Sequence, residues 1–307
     1  LPLLLFQASL TIDVARMKQD AAPILLLAII AVIITTVIIG ISLSWLFGIP
    51  LIVCLLLGSV VATTDPAAVV AVFRDIGAPA RLSRLVEGES LLNDAAAIAL
   101  FSILLGHLIR GEPFELVQSS MRFAMTFLGG LVLGLLAGKV LIEGIRRLDG
   151  LKAAETTLTV AAPYLVFIVG ERFLHVSGVV AVVALGLAVS AWGRTALTPE
   201  NWQHLQSVWE QIAFWAVSLV FILAAILVPK LIPEVGVLNV AIILALTVIA
   251  LFARALVLFL LLPFLSLARL TEKISWEYKI AILWGGLRGA VTLALAAFTI
   301  LFGTRHL

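Results

Sequence analysis

Polar positions in this chain punctuate long apolar stretches instead of alternating with them. Apolar runs fall at about residues 1–12, 21–47, 51–73, 91–109, 119–142, 157–170, 173–193, 211–229, 235–264 and 280–304. A helix on the surface of a soluble protein shows a polar face at every turn. The stretch AAPILLLAIIAVIITTVIIGISLSWLF instead runs for 27 residues without a charge. A bilayer-spanning helix needs roughly 20 mostly apolar residues. The pattern therefore predicts an all-α polytopic membrane protein of about ten segments, the first too short to span. Glu171 and Arg172 split 157–170 from 173–193, which are read as two short spans.

Two runs are interrupted from within. LLLGSVVATTDPAAVVAVF carries Thr63, Thr64, Asp65 and Pro66 in its middle. Pro66 removes a backbone donor and disfavours helix at Asp65. ILWGGLRGAVTLALAAF places three glycines around Arg288. Broken helices in corresponding positions of two halves are a pointer to a transporter's ion site, because unwound backbone near the bilayer midplane can ligand an ion. A plainer alternative for TTDP is a capped helix start, with Asp65 as N-cap and Pro66 at the first helical position.

Composition agrees with the membrane reading: 63% of residues are hydrophobic, 12% are charged and the mean hydropathy is +1.20. The formal charge of +2 comes from scattered basic residues and gives no footing for nucleic acid. Cys54 is the lone cysteine and reads as a small packed hydrophobe. The basic residues alternate between loops. Arg16 and Lys18, then Arg74, Arg81 and Arg84, then Lys139, Arg146, Arg147 and Lys152, then Arg194, then Arg269, Lys273 and Lys279 share one side. The other side has Arg110, Arg122, Arg172, Lys230 and Arg305, so the first set is expected to be cytoplasmic.

Chemistry concentrates in EGESLLNDAAAIALF, residues 87–101. On a helix Ser90 and Asp94 share a face, as do Glu89 and Asn93. An ionisable side chain inside a span marks an ion or proton path by default. Desolvation favours a neutral carboxylic acid, whereas a neighbouring cation favours the carboxylate. One such group can hold a proton or a small cation but not both, and that competition is sufficient for coupled exchange. Asp94 is the candidate; the structural alternative is that it pairs with a basic residue and only fixes packing. Thr64 and the freed carbonyls beside Asp65 offer hard oxygens suited to an alkali cation. Arg288 needs a partner, and Glu89 is the candidate. Arg254, in LFARALVLF, is a second intramembrane cation whose partner is open between a carboxylate and a backbone carbonyl. His107 is expected near the interface, and Trp202, Trp209 and Trp215 are expected to form an interfacial belt. No phosphate loop, paired CxxC or nucleophile elbow is visible.

VATTDPAAVVAVF, GESLLNDAAAIALF and WGGLRGAVTLALA, in that order, closely resemble the sodium/proton exchangers of the monovalent cation:proton antiporter class (the NhaP and NHE branch). WEQIAFWAVSLVFILA resembles a later core segment of that family less closely. The resemblance implies a thirteen-span fold of two inverted repeats with two broken, crossing helices. This chain, which opens on LPLLLFQ and stops at FGTRHL, is expected to hold about ten of those spans. On that scheme residues 1–307 form one exchanger domain: 1–109 the rest of the first repeat, 110–150 a linking span and 151–307 the second repeat. The resemblance also implies that Asp94 binds cation and proton with Asn93 as its neighbour. Asp65 stands at the crossing, Thr64 lends a main-chain oxygen and Ser90 a hydroxyl, and Glu89 and Arg288 form a structural ion pair. Asn93 in place of a first aspartate implies electroneutral one-for-one exchange. The expected partners are Na+, with Li+ or K+ as alternatives, protons, membrane lipid and a second copy in a homodimer at the plasma (inner) membrane. No cofactor and no enzymatic activity are expected.

Two positions depart from the family pattern. Gln7 stands where many members carry an acid near the ion site, so it is a candidate site modifier, and Val217 stands where many have asparagine. Three rival readings are weaker. An intramembrane aspartyl protease needs Tyr-Asp and GxGD motifs, which are absent. A cation channel calls for symmetric filter loops. A transport-dead sensor or assembly relative has Gln7 as its only hint.

Overall fold

The computed structural model describes residues 2–12, 14, 21–110, 115–148, 151–231, 236–261, 263 and 276–284. Described secondary structure is helical throughout: α1 (Pro2–Thr11), α2 (Ala21–Phe47), α3 (Leu51–Val61), α4 (Ala67–Asp75), α5 (Ala80–Arg110), α6 (Leu116–Arg146), α7 (Lys152–Ile168), α8 (Gly178–Ala196), α9 (Pro199–Leu231), α10 (Val237–Leu256) and α11 (Trp276–Trp284). Wide π turns extend α7 over Val169–Leu174 and α10 over Val257–Leu261. Seven helical stretches among the described residues are long and apolar enough to cross a membrane, and α1 and α3 are shorter apolar helices. The chain is a multi-pass integral membrane protein.

The interruption at TTDP is real: α3 ends at Val61 and α4 begins at Ala67. The second interruption, around Arg288, lies outside the described residues. The run at 157–170 and 173–193 resolves into two spans, α7 with its π turn and α8. The α5 helix starts well before the apolar run that marks it, so Glu87 and Glu89 lie inside a 31-residue helix.

Packing divides the chain into two compact units: residues 1–18 with 115–219, and residues 19–114 with 220–307. In the first unit α8 is central, and its residues from Gly178 to Ser190 are almost continuously buried. A row of small residues lets α6 lie directly on it. A Cβ at Gly134 would sit 2.1 Å from the Ala181 carbonyl oxygen, and one at Gly138 would sit 2.4 Å from Ala188 Cβ. Close approach through small residues is how helices gain packing energy in a medium as apolar as their own side chains. Ser177 caps α8 by accepting from Val180 N at 3.3 Å, and its own N–H donates to the Thr126 carbonyl of α6 at 3.0 Å. The units reflect packing; the repeat boundaries expected at 109 and 150 concern inverted symmetry, which is a separate property.

The second unit holds the broken helix. Ile39 and Leu43 of α2, Cys54 of α3 and Ala250 of α10 form one apolar cluster. Val69 and Phe73 of α4, Leu82 and Val86 of α5, Leu258 of the π turn and Ile282 of α11 form another. Cys54 is buried there as a packed side chain.

Two sequence expectations change. Trp202 and Trp209 are buried in the first unit, and only Trp215 of the three is exposed, so they are not an interfacial belt. His107 is buried on α5 instead of facing an interface. Composition does not separate an aromatic that anchors at lipid headgroups from one that fills a core, because both are flanked by the same apolar residues.

Candidate functional site

The site grows from the broken helix. With no N–H at Pro66, α3 cannot run on into α4, and the segment Thr63–Asp65 lies outside both helices. Ala62 N still donates to the Gly58 carbonyl at 2.9 Å, and the Thr63 hydroxyl donates to the Val60 carbonyl at 3.1 Å. Beyond the break Val70 N donates to the Pro66 carbonyl at 2.8 Å. Thr64 therefore presents its backbone carbonyl and its hydroxyl sideways, toward α5.

Both groups are taken up by α5. The Ser90 hydroxyl donates to the Thr64 carbonyl. The Asn93 side-chain amide donates one hydrogen to Thr64 Oγ1 at 3.1 Å and its other toward Glu89 Oε1 at 3.4 Å. Ser90 and Asn93 are three apart on one helical face, which is why two consecutive polar groups can clasp one unwound residue. Thr64, Ser90 and Asn93 are all buried. With both amide hydrogens committed, Asn93 Oδ1 is left as a buried oxygen with no hydrogen-bond partner among the described residues.

Asp94 follows on the next position, half-buried, and its Oδ1 likewise has no described hydrogen-bond partner. Asp94 lies within electrostatic reach of both Asp65 and Glu89. Asp94 thus has two further carboxylates within electrostatic reach, and Ala95, Ala96 and Ala97, which follow it on α5, do not reach solvent. Like charges crowded in a medium of low dielectric demand a proton or a cation. Two carboxylates, a hydroxyl and a main-chain oxygen are hard donors of the kind that take an alkali cation. Among the described residues no group of three or more His, Cys, Asp or Glu is arranged to hold a metal ion.

The second unit also brings Arg254 to this cluster. Its guanidinium interacts electrostatically with Glu89, while Nε and Nη2 donate to the Ile282 carbonyl of α11 at 3.3 and 3.2 Å. The open question about Arg254 thus has a double answer, a carboxylate and a carbonyl. Arg288, the sequence candidate for Glu89, lies outside the described residues. Gln7 is half-buried on α1 in the first unit and is not among the residues that the second unit gathers.

The profile of the family described as "Sodium/hydrogen exchanger, transmembrane" matches residues 1–304. The chain belongs to the sodium/hydrogen exchanger family. It is 36% identical over 301 residues to the Na(+)/H(+) antiporter ApNhaP of Aphanothece halophytica, covering 96% of this chain and 56% of that protein. It is 34% identical to the Na(+)/H(+) antiporter NhaP of Pseudomonas aeruginosa, covering 96% of this chain and 70% of the relative. Sodium/hydrogen exchanger 7 of Arabidopsis thaliana is 31% identical across 96% of the chain, which spans 26% of that longer protein. Among solved structures, the sodium proton antiporter MjNhaP1 of Methanocaldococcus jannaschii superposes with a TM-score of 0.80 over 99% of this chain and 72% of that one, at 22% identity. The chain therefore has the fold of that antiporter. It spans about half the length of several of the curated relatives it matches.

Two features lay beyond sequence reasoning. The electrostatic interaction of Glu89 with Arg254 joins residues 165 positions apart, and nothing local marks one intramembrane arginine over another as the partner. Glu155, buried in the first turn of α7, went unremarked because a carboxylate just ahead of an apolar run resembles an ordinary solvated helix start.

Proposed function

We propose that the protein containing this chain is a secondary active antiporter that exchanges Na+ for H+ across the membrane. The observation that carries this reading is the clasp of Ser90 and Asn93 on the unwound Thr64, next to which Asp94 lies within electrostatic reach of Asp65. The names of its relatives support the same ions.

Cation and proton compete for Asp94. In the cation-loaded form Asp94 and Asp65 supply charge, with the Thr64 carbonyl and the Ser90 hydroxyl as neutral ligands. In the proton-loaded form the same carboxylate is neutral. Asn93 adds an amide oxygen and no charge, which supports one-for-one, electroneutral exchange by alternating access. Glu89 is structural: Arg254 offsets its charge, and Arg288 is the second cation assigned to it. Li+ and K+ are the alternative cations, and Gln7 modifies the site. The protein works as a homodimer in the plasma (inner) membrane, where inward proton force lets it expel cation and defend pH and salt balance.

The experiment is cation-dependent recovery of a pH dye in acidified everted vesicles, with Na+, Li+ and K+ added in turn. Recovery ranks the ions; absence of recovery with all three, in vesicles shown to contain the inserted protein, rules out antiport. A change in membrane potential accompanying recovery would rule out electroneutrality.

A further inference from the structure

Hydroxyls inside the helices of this chain share a habit. Ser9, Ser59, Ser102, Thr126 and Thr247 each donate to a carbonyl three or four residues back, at 2.6–2.9 Å. That is how a serine or threonine commonly satisfies itself on a helix. Thr36 of α2 breaks the habit. It is buried, and among the described residues its Oγ1 has no hydrogen-bond partner. A buried hydroxyl in that condition loses its bonds to water and gains none in return.

Packing within the second unit says where this hydroxyl stands. A Cβ at Gly40 would sit 2.5 Å from Leu55 Cδ2, and one at Gly58 would sit 2.8 Å from the Thr36 carbonyl oxygen. Contacts thus run forward along α3 as they run back along α2, so the two helices are antiparallel. Gly58 stands three residues before α3 ends at Val61, about 4.5 Å of helical rise. Helical side chains lean toward the N-terminus of their own helix. In an antiparallel pair that carries the Thr36 hydroxyl toward the end of α3, where the chain unwinds at Thr63. This stretch is rich in polar atoms. Ser59 and Thr63 are buried on it, and their hydroxyls donate to the Leu56 and Val60 carbonyls at 2.7 and 3.1 Å. A hydroxyl oxygen accepts as well as donates, and the last carbonyls of a helix lack intrahelical donors. A buried water is typically held by about three such groups.

We propose that Thr36 holds a water molecule at the end of α3, and that this hydrated position is a station on the cation's path to the broken helix. The first half stands on the packing of α2 and α3; the second rests on the antiport reading. The Thr36 hydroxyl can replace one water of a passing cation's shell, and it carries no charge that would detain the ion.

The test uses the full-length protein in vesicles, with silver ion as a thiol-seeking monovalent cation. Two single-thiol forms are compared: one keeps only Cys54, which is buried in an apolar cluster, and the other carries Thr36→Cys with Cys54→Ala. After exposure to silver nitrate, thiols still free are counted with a maleimide dye in the unfolded protein. Thr36→Cys is expected to lose its free thiol while Cys54 keeps its own, because the thiolate that binds metal forms in water and is disfavoured in apolar surroundings. Thr36→Val keeps the shape without the hydroxyl, and Thr36→Ser keeps the hydroxyl. Thr36→Val is expected to slow Na+-driven dye recovery about five-fold, the ratio worth one net hydrogen bond, with Thr36→Ser near the native rate and folded yield unchanged in both. Equal protection of the two thiols would overturn the water site. So would a Thr36→Val protein with a raised unfolding midpoint and native recovery, the mark of a dry hydroxyl. If silver reaches Thr36→Cys but Thr36→Val recovers at the native rate, the station on the path fails. If the native protein shows no cation-driven recovery, the antiport reading fails, and the silver result still decides the water.

Discussion

Replacing Gly134 with alanine adds a single methyl group, and the structure sets what that methyl meets. The new Cβ would lie 2.1 Å from the Ala181 carbonyl oxygen and 2.6 Å from Ala184 Cβ, where ordinary contact begins at 3.4 Å. The nearer obstacle is backbone and cannot swing aside, so α6 and α8 must part by about 1.3 Å. A gap of even 0.5–1 Å forfeits about a quarter to a half of each contact's dispersion energy along the seam. Overpacking of this kind costs about 1–3 kcal/mol, against a helix-propensity gain of at most about 1 kcal/mol for Gly→Ala. Gly144, on the same helix, supplies the control. A Cβ there would meet only Leu158 Cδ2 at 3.5 Å, an ordinary contact, so Gly144→Ala keeps the propensity gain and is expected to be neutral or stabilising. The assay is thermal unfolding of the purified protein in detergent. Gly134→Ala is expected to lower the midpoint by roughly 2–8 °C, at about 2–4 °C per kcal/mol, while Gly144→Ala leaves it level or raises it. Equal midpoints for the two variants would show that α6 and α8 are not packed at this distance.

Other outcomes follow from the second unit. Arg254→Leu removes the charge that offsets Glu89 and frees the Ile282 carbonyl; folded yield should fall, and adding Glu89→Gln should restore part of it. A double variant worse than either single would show that the two charges are not partners. Thr64→Val removes the acceptor for Asn93 but leaves the backbone carbonyl for Ser90. It should cost about 1 kcal/mol and be non-additive with Asn93→Leu in unfolding midpoints; strict additivity would sever that hydrogen bond from the account.

Much of this was legible because lipid imposes simple demands on sequence. A 27-residue run without charge can only be a span, and Pro66 after Asp65 breaks a helix wherever it falls. The resemblance placed Thr64, Ser90 and Asn93 at one site, whereas helical spacing paired Ser90 with Asp94 and Glu89 with Asn93, so the clasp of Ser90 and Asn93 on Thr64 is a finding of the structure. What escaped was decided by which helix packs on which. Trp209 looks the same in sequence whether it anchors in headgroups or fills a core, and only the arrival of Phe6 and Thr159 buries it. The length of α5 was underestimated because its first turns are polar, although they bury Leu82 and Val86 against α4 and α11. Arg254 was visible as an anomaly, but its two partners lie on helices distant in the chain.

The central claim is that Asp94 carries both the cation and the proton, and dye recovery in everted vesicles holding the full-length protein or its Asp94→Asn variant at matched insertion tests it directly. The account predicts cation-driven recovery with the native side chain and none with the amide, which keeps the shape of the carboxylate but cannot exchange a proton. Recovery at native rates in Asp94→Asn would contradict it and move the exchanging group elsewhere in the site.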